Sequence, residues 1–488
     1  MATVELSHQQ LLIGGNWTDA KSGRKYEQSF PYTGEGVGTA AAAGREDAQA
    51  AVDVAGVAFA GWSRSAPAMR RQILSKAADL MIERQPEIAA LVTEETGGVF
   101  GWGMFNVELA AGMLREAAAQ AYNLVGEVIP SDVPGKLAMG VRQPAGVVVA
   151  IAPWNAPVIL STRAVATPLA YANTVVLKAS ELCPRTHAAV VQALVDAGLP
   201  PGVINFVTNS PEDAGDVVDE LIAHPATRRI NFTGSSKVGR IIAEKAGRHL
   251  KRVLLELGGK APIVVLGDAD LDRAAAAASF GAFFHQGQIC MSTERIVVDR
   301  SVADALANKL AERARALPVG DPRESGTAIG PLINRAAIER VTGLVEDAVG
   351  KGATALSGGA ADGPCFPPTV LSGVTPEMRI YGEESFGPVV TVIPVDGPDE
   401  AVTVANDTDY GLSAAVFSEN VPAALELAQR IESGICHVND TTVHDEPQMP
   451  FGGVKASGFG RFGGRAALEE FTELRWITVQ SLPRRYPI

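Results

Sequence analysis

Three residues have types and settings that suit nucleophilic chemistry. Cys290 follows a helix-like apolar segment through a short glycine-containing turn, in FFHQGQICMSTERIVV, and a thiolate there could act as a nucleophile. Glu256 ends an apolar strand pattern, where an ionised carboxylate is costly to bury and could serve as a proton acceptor. Asn155, in APWNAP, offers an amide donor at a strand end. Each also has a structural interpretation, as a small buried hydrophobe, a solvated glutamate and a turn asparagine respectively.

Two further segments suggest a site for a dinucleotide. Lys178 and Glu181 lie in LKASE at the end of a predicted strand. An acidic side chain there can hydrogen-bond ribose hydroxyls and would repel a 2′-phosphate, so it favours NAD over NADP. Gly234 and Ser235 open a helix pattern in FTGSSKVGR, whose N-terminal amides can face a diphosphate. An ordinary N-cap is the alternative for that segment.

Common signatures of other enzyme classes have no support. The only GxGxxG match, at residues 458–463, follows no predicted strand, so we expect no dinucleotide role for it. The sequence contains no GxxxxGK[ST], HExxH or GxSxG pattern, which argues against the usual ATPase, metalloprotease and serine hydrolase chemistries.

Composition and charge exclude several kinds of partner. The 488 residues carry 42 Lys and Arg against 55 Asp and Glu, and a net charge of −13 opposes binding to nucleic acid. Four widely spaced cysteines predict no metal site and no disulfide framework, and so a reducing, cytoplasmic location. The segment Met1 to Leu12 lacks a basic stretch, so we expect no export signal. Prolines interrupt the uncharged stretch from Arg142 to Arg163, so we expect no membrane span.

Alternating strand and helix patterns must position these residues. Between about residues 146 and 266, Pro184 and Pro211 open helix patterns. The predicted strands there are 146–152, 174–178, 203–207, 229–232, 252–257 and 262–266. This alternation predicts right-handed βαβ units and a doubly wound parallel sheet.

A second α/β region extends from about residue 268 to 451. Its predicted helices lie around 306–317 and 338–348, and its predicted strands include 295–298, 388–393 and 435–438. Two such regions suggest two domains with a cleft between them. The last apolar run, Leu474 to Val479, either pairs with another subunit or closes the chain's own sheet.

In this order and spacing, PWN, KASE, FTGSSKVG, LELGGK, GQIC and EESFGP resemble the aldehyde dehydrogenase superfamily over nearly the whole chain. The resemblance implies an α/β fold with two doubly wound parallel-sheet domains and a small β oligomerisation element, in a homodimer or homotetramer. It places an NAD-binding domain at residues 1–122 and 141–255 and a catalytic domain at 256–451. The oligomerisation element would comprise residues 123–140 and 472–488.

The resemblance also implies roles for individual residues. Cys290 would form a thiohemiacetal and then a thioester, Glu256 would activate water as the general base, and Asn155 with the Cys290 backbone N–H would form the oxyanion hole. Residues expected to contact NAD are Ile151, Pro153, Trp154, Lys178, Glu181, Gly234, Ser235, Gly239, Leu257, Glu384 and Phe386. An intact Glu256 disfavours a CoA-acylating enzyme, and the intact set of three disfavours a binding protein on the same scaffold.

The segment ESGICHVNDTTVHDEPQMPFGGVKASGFGRFGG is most similar to bacterial dehydrogenases of benzaldehyde, salicylaldehyde or vanillin. This implies oxidation of an aromatic aldehyde, with an aliphatic aldehyde or semialdehyde as the alternative. Residues expected near the substrate are Arg163, Ile289, Met291, Val443 and Phe451. The Arg163 charge could favour a phenolate or another polar ring substituent, or it could be held structurally in a salt bridge.

Overall fold

The computed structural model describes residues 7–488. Its strands are β1 (His8–Gln9), β2 (Leu11–Ile13), β3 (Asn16–Thr18), β4 (Lys25–Ser29), β5 (Gly36–Ala41), β6 (Glu127–Ile129), β7 (Lys136–Pro144), β8 (Val147–Ile151), β9 (Thr174–Lys178), β10 (Ile204–Val207), β11 (Thr227–Thr233), β12 (Arg252–Glu256), β13 (Ala261–Val265), β14 (Thr293–Asp299), β15 (Thr354–Ser357), β16 (Thr369–Ser372), β17 (Val389–Val395), β18 (Ser413–Phe417), β19 (Ile435–Val438), β20 (Gly458–Phe459) and β21 (Thr472–Gln480).

The α-helices are α1 (Arg45–Trp62), α2 (Pro67–Glu83), α3 (Gln85–Thr96), α4 (Phe100–Gln120), α5 (Pro157–Ala170), α6 (Pro184–Asp196), α7 (Ala214–Ala223), α8 (Ser236–Arg248), α9 (Leu271–Phe283), α10 (Ala303–Arg315), α11 (Arg335–Gly350), α12 (Arg379–Gly382), α13 (Pro398–Asn406) and α14 (Val421–Arg430). Helices α1 to α4 succeed one another, and from β8 onward strands and helices mostly alternate along the chain. Within residues 7–488, no helix combines the length and hydrophobicity needed to cross a bilayer.

The first large sheet has the strand order β20-β12-β11-β8-β9-β10-β2-β3. The five strands from β12 to β10 are parallel, and the short edge strands are antiparallel. The chain proceeds from β8 to β10 in one direction and then places β11 and β12 on the other side of β8. The carboxyl ends of β8 and β11 therefore form the switch-point crevice where ligands bind in such sheets.

The second large sheet has the order β15-β16-β17-β14-β13-β18-β19 and is parallel except at β15. Cys290 lies just before β14, and the segment 384–386 lies just before β17. The predicted α/β class with two doubly wound sheets is thus confirmed. The domain boundaries stay a prediction, and residues 1–6 of the first predicted segment lie outside the described residues.

Two three-stranded sheets complete the fold, with the orders β1-β5-β4 and β21-β7-β6. Strand β21 pairs antiparallel with β7 from Thr472 opposite Pro144 to Gln480 opposite Lys136. Of the two interpretations of the last apolar run, the structure shows that this strand joins the chain's own sheet. Most of its residues on both faces are nevertheless exposed.

Two local features differ from the predicted elements. Pro211 opens a short 3₁₀ turn, and helix α7 begins only at Ala214. Gly458 and Phe459, inside the GxGxxG match, form an edge strand that pairs with β12. The glycine there is required because a Cβ at Gly458, whose φ is +105°, would lie 2.1 Å from the Leu255 carbonyl oxygen.

Candidate active site

Cys290 lies between two cavities of different character. The larger cavity, of about 400 Å³, extends along the carboxyl ends of β8, β11 and β12. The smaller one, of about 70 Å³, lies between α4, α5 and α9. Asn155, Leu160 and Cys290 line both cavities, so the thiol can meet one ligand from each side.

A strained turn places Cys290 at this position. His285, Gln286 and Gly287 have successive φ values of +48°, +57° and +67°, in the left-handed region. A Cβ at Gly287 would lie 2.2 Å from the Gly387 carbonyl oxygen, so only glycine fits. The Gln286 side chain donates hydrogen bonds of 3.1 Å to the carbonyls of Gly97 and Pro331, which fix the turn.

Asn155 is oriented by its neighbours on both sides. Its side-chain Nδ2 donates to the Gln288 backbone carbonyl oxygen at 3.0 Å, and the Asn155 backbone carbonyl accepts from Trp102 Nε1 at 3.1 Å. An amide NH₂ group has two hydrogens, so one remains for a ligand in the cavities beside Cys290. This is the arrangement that an oxyanion donor needs.

Glu256 ends β12 as a buried carboxylate. It is 1% exposed, and neither carboxylate oxygen has a hydrogen-bond partner among residues 7–488. Burial raises its pKa to about 7, although the Arg163 charge and the Cys290 thiol both act to lower it. A carboxylate with a pKa close to neutral is suited to general base catalysis.

The Cys290 thiol is not acidic in the absence of a ligand. Burial first, and then the Glu256 carboxylate, raise the pKa of this thiol well above its ordinary value. A thiol in this state needs a base or a nearby positive charge to become the nucleophilic thiolate. Glu256 is the neighbouring base, and the larger cavity is where a cationic ligand could lie.

Two glycines after Glu256 allow close packing around the thiol. A Cβ at Gly259 would lie 2.2 Å from the Cys290 carbonyl oxygen, and a Cβ at Gly258 would lie 2.7 Å from Glu384 Oε2. The Gly259 N–H donates to Glu384 Oε1 at 2.9 Å. Burial raises the pKa of Glu384 to about 7 as well. The LELGGK motif therefore brings the Cys290 thiol and a second carboxylate together.

More than half of the residues predicted to contact NAD line the larger cavity. The Trp154 and Phe386 rings pack edge to face, with centroids 5.8 Å apart. Ser235 is the N-cap of α8, and its hydroxyl accepts from the Val238 N–H. The predicted cofactor residues that line the cavity are Pro153, Trp154, Gly234, Ser235, Glu384 and Phe386.

The other predicted cofactor residues lie outside that lining. Lys178 Nζ is 3.3 Å from Glu181 Oε2 at the carboxyl end of β9. Gly239 packs against Leu257, whose Cδ2 would lie 2.5 Å from a Cβ at this glycine. Ile151 is the last residue of β8. A role of these residues in binding the cofactor stays a prediction.

All five residues predicted near the substrate line the smaller cavity, namely Arg163, Ile289, Met291, Val443 and Phe451. Arg163 forms a buried ion pair with Asp445, and its guanidinium lies 4.0 Å from the centroid of the Phe451 ring. The salt-bridge interpretation of Arg163 therefore describes its state in the structure. Its charge is already compensated at the cavity wall.

Sequence reasoning missed several residues of the site. The aromatic residues Trp102, Phe105, Phe280 and Phe284 also line the smaller cavity, with Phe280 and Phe284 stacked at 4.7 Å. Asp445 and the buried pair of Lys260 and Glu294 were not predicted either. For this pair, the sequence offers only a charged residue at the start of each of two apolar strand patterns, which by itself does not distinguish a buried ion pair from solvated side chains.

Comparisons with known proteins show which family this chain is similar to. A profile of the aldehyde dehydrogenase family matches residues 17–477. The chain is 57% identical to a vanillin dehydrogenase of Pseudomonas sp. (strain HR199 / DSM 7063) over 99% of this chain and 100% of the relative. It is 40% identical to a benzaldehyde dehydrogenase [NAD(+)] of Pseudomonas putida, over 98% and 97% respectively.

A solved structure shows the same fold. The crystal structure of a salicylaldehyde dehydrogenase from Pseudomonas putida G7, complexed with salicylaldehyde, superposes with a TM-score of 0.97. It is 44% identical, and the match covers 99% of this chain and 100% of that one.

Proposed function

This chain belongs to the aldehyde dehydrogenase family and is an aldehyde-oxidising enzyme, and we propose that it converts an aromatic aldehyde into the carboxylic acid with NAD. The observation that carries the proposal is the position of Cys290 in the wall shared by an aromatic-lined cavity and a larger cavity at the sheet switch point. The similarity to dehydrogenases named for vanillin, benzaldehyde and salicylaldehyde supports the aromatic substrate.

The first step is attack by the Cys290 sulfur on the aldehyde carbonyl carbon. Glu256 is the base next to the thiol, and the Asn155 amide stabilises the oxyanion that forms. The ring of the substrate would pack against the aromatic walls of the smaller cavity.

The larger cavity fits a nicotinamide dinucleotide. The N-terminus of α8 at Ser235 offers backbone amides to a diphosphate, and Glu384 presents a carboxylate for ribose hydroxyls. The Glu181 carboxylate at the end of β9 favours NAD, because it would repel a 2′-phosphate. NAD, when bound, supplies the acceptor for the hydride that leaves the tetrahedral adduct. Cys290 then carries the acyl group as a thioester.

Release of the acid requires water and a base. Neither buried carboxylate oxygen of Glu256 has a hydrogen-bond partner in the part of the chain that the structure describes, and burial holds its pKa at about 7. It can therefore accept a proton from water at neutral pH and direct the hydroxide to the thioester. Asn155 stabilises the second oxyanion as it did the first.

The test measures NADH formation with benzaldehyde, vanillin, salicylaldehyde and hexanal, each with NAD and with NADP. We expect kcat/KM for the aromatic aldehydes to exceed that for hexanal at least about ten-fold, and NAD to be preferred. A preference for hexanal would support an aliphatic substrate, and a preference for NADP would contradict the cofactor proposal. Cys290→Ala should be inactive, whereas Cys436→Ala, at the other half-buried cysteine, should retain activity.

We also propose a homodimer or homotetramer in the cytoplasm. The exposed apolar side chains on β21 support self-association. All four cysteines are free thiols, as expected in a reducing compartment.

A further inference from the structure

A buried ion pair between Lys260 and Glu294 has no part in the steps above. The two side chains are 0% and 4% exposed. Lys260 follows the two glycines of the LELGGK motif, and Glu294 is the second residue of β14. Burying a charged pair costs desolvation energy, and an apolar pair of similar volume is often as stable. The position of the pair therefore calls for another explanation.

The Glu294 carboxylate holds the backbone of the segment 384–386. Both of its oxygens accept from the Ser385 N–H at 2.9 Å, and Oε1 also accepts from the Phe386 N–H at 3.2 Å. Phe386 has a φ of +47°, a left-handed conformation that is costly for an aromatic residue. Because Glu294 Oε1 accepts from both N–H groups, Oε2 can also accept from Lys260 Nζ.

The other side of this segment faces the larger cavity. Glu384 and Phe386 both line that cavity, and the Phe386 ring packs against Trp154. The next residue, Gly387, contacts the turn at Gly287 that precedes the nucleophile. Glu294 thus connects the strand that follows Cys290 to the backbone that presents Glu384 and Phe386 to a ligand.

We propose that Glu294, paired with Lys260, is a positioning residue for the cofactor. By fixing the segment 384–386, it sets the affinity of the larger cavity for NAD and leaves the affinity of the smaller cavity for the aldehyde unchanged. This inference rests on the proposed function, in which the larger cavity binds NAD.

The experiment measures the dissociation constant of NAD by calorimetry for the wild type and three variants. Glu294→Gln retains one acceptor oxygen but loses the charge. The double variant Lys260→Met, Glu294→Leu replaces the pair by apolar side chains, which is often neutral for stability, and it removes the acceptor of the Ser385 and Phe386 N–H groups. Thr391→Val is the matched control, because the Thr391 hydroxyl donates to the Glu294 backbone carbonyl at 3.1 Å without touching the segment 384–386.

We expect Glu294→Gln to weaken NAD binding about ten-fold, as the loss of a charge-assisted hydrogen bond does, and the double variant to weaken it further. The KM for benzaldehyde should change less than about two-fold in both variants. Thr391→Val should bind NAD as the wild type does.

NAD binding of wild-type strength in the double variant would overturn the inference, and so would equal weakening in Thr391→Val. If Glu294→Gln does not fold, the double variant alone decides. If the wild type itself does not bind NAD, the proposed function fails, and this inference fails with it. That result is distinct from normal binding in all four proteins, which overturns only the role of Glu294.

Discussion

At the residue scale, the protonation of Glu256 links the stability of the protein to the general-base role proposed for this carboxylate. The folded protein raises the pKa of this carboxyl from 4.5 to about 7, mainly by burial. Between these two pH values the folded state binds more protons than the unfolded state. The contribution of the protonated Glu256 carboxyl to the free energy of unfolding is therefore fully present below about pH 4.5, and it is lost as the pH rises through 7.

Glu256→Gln should remove this loss. A pKa shift of this size corresponds to about 3 kcal/mol. As the pH rises from 5 to 8, the free energy of unfolding of the variant should therefore increase by up to that amount relative to that of the wild type. Urea unfolding at the two pH values measures the difference. Hydrolysis of the thioester should stop in the variant, while kcat of the wild type should rise through about pH 7. The same pH dependence of stability in both proteins would contradict the prediction.

At the element scale, the turn before Cys290 determines where the sulfur of this residue lies. Gly287→Ala introduces a Cβ 2.2 Å from the Gly387 carbonyl at a positive φ. The backbone must move, and a displacement of about 1 Å at a nucleophile can reduce the rate about 10²-fold. We expect a lower melting temperature and a kcat reduced by about this factor.

The control for this prediction is Gly343→Ala in the middle of α11. A Cβ there meets only Arg379 Nη1, at 3.9 Å. Alanine in a helix should stabilise the protein by about 0.5–1 kcal/mol relative to glycine, with activity unchanged. Equal effects of the two substitutions on kcat would show that the turn has no special role.

Elements with continuous apolar patterns were predictable from the sequence. The strand at 174–178 lies where its β-branched run predicts it, and the half-buried edge strand ICHV at 435–438 also lies where it was predicted. A central strand of a parallel sheet is covered on both faces of the sheet. Its residues are therefore apolar throughout, and the strand is visible in the sequence as a continuous apolar run. The LELGGK and GQIC segments likewise lie together at Cys290, as their motifs indicate.

Contacts that depend on distant parts of the chain were not predictable. Glu294 precedes the apolar residues of β14, so it is indistinguishable from a solvated residue at a strand start. Its partners are Lys260 and the Ser385 N–H, and both lie close to Glu294 only in the folded sheet. Asp445 lies in a loop among other acidic residues, and only Arg163 on α5 distinguishes it from them.

At the scale of the whole molecule, the sheet β21-β7-β6 presents apolar side chains to solvent. Trp476 on β21 is 76% exposed, and Leu474 and Val479 on the same strand are also exposed. Such a surface is typical of an interface, and we expect a second copy of the chain to cover it.

Trp476→Glu should therefore give a smaller assembly, because it places a charge in that interface. Light scattering after size-exclusion chromatography measures the molar mass. Leu425→Glu, at an exposed leucine on α14, is the control and should leave the mass unchanged. An unchanged mass for Trp476→Glu would exclude this residue from the contact between subunits.

The wall that Asn155, Leu160 and Cys290 form between the two cavities also matters for inhibitor design. An electrophile attached to an aryl group would reach the sulfur through one chamber, where substrate would protect against it. An electrophile attached to a pyridine ring would reach it through the other, where NAD would protect. A compound that joins both rings through one reactive carbon would occupy both chambers, and the tether would make the second contact effectively intramolecular.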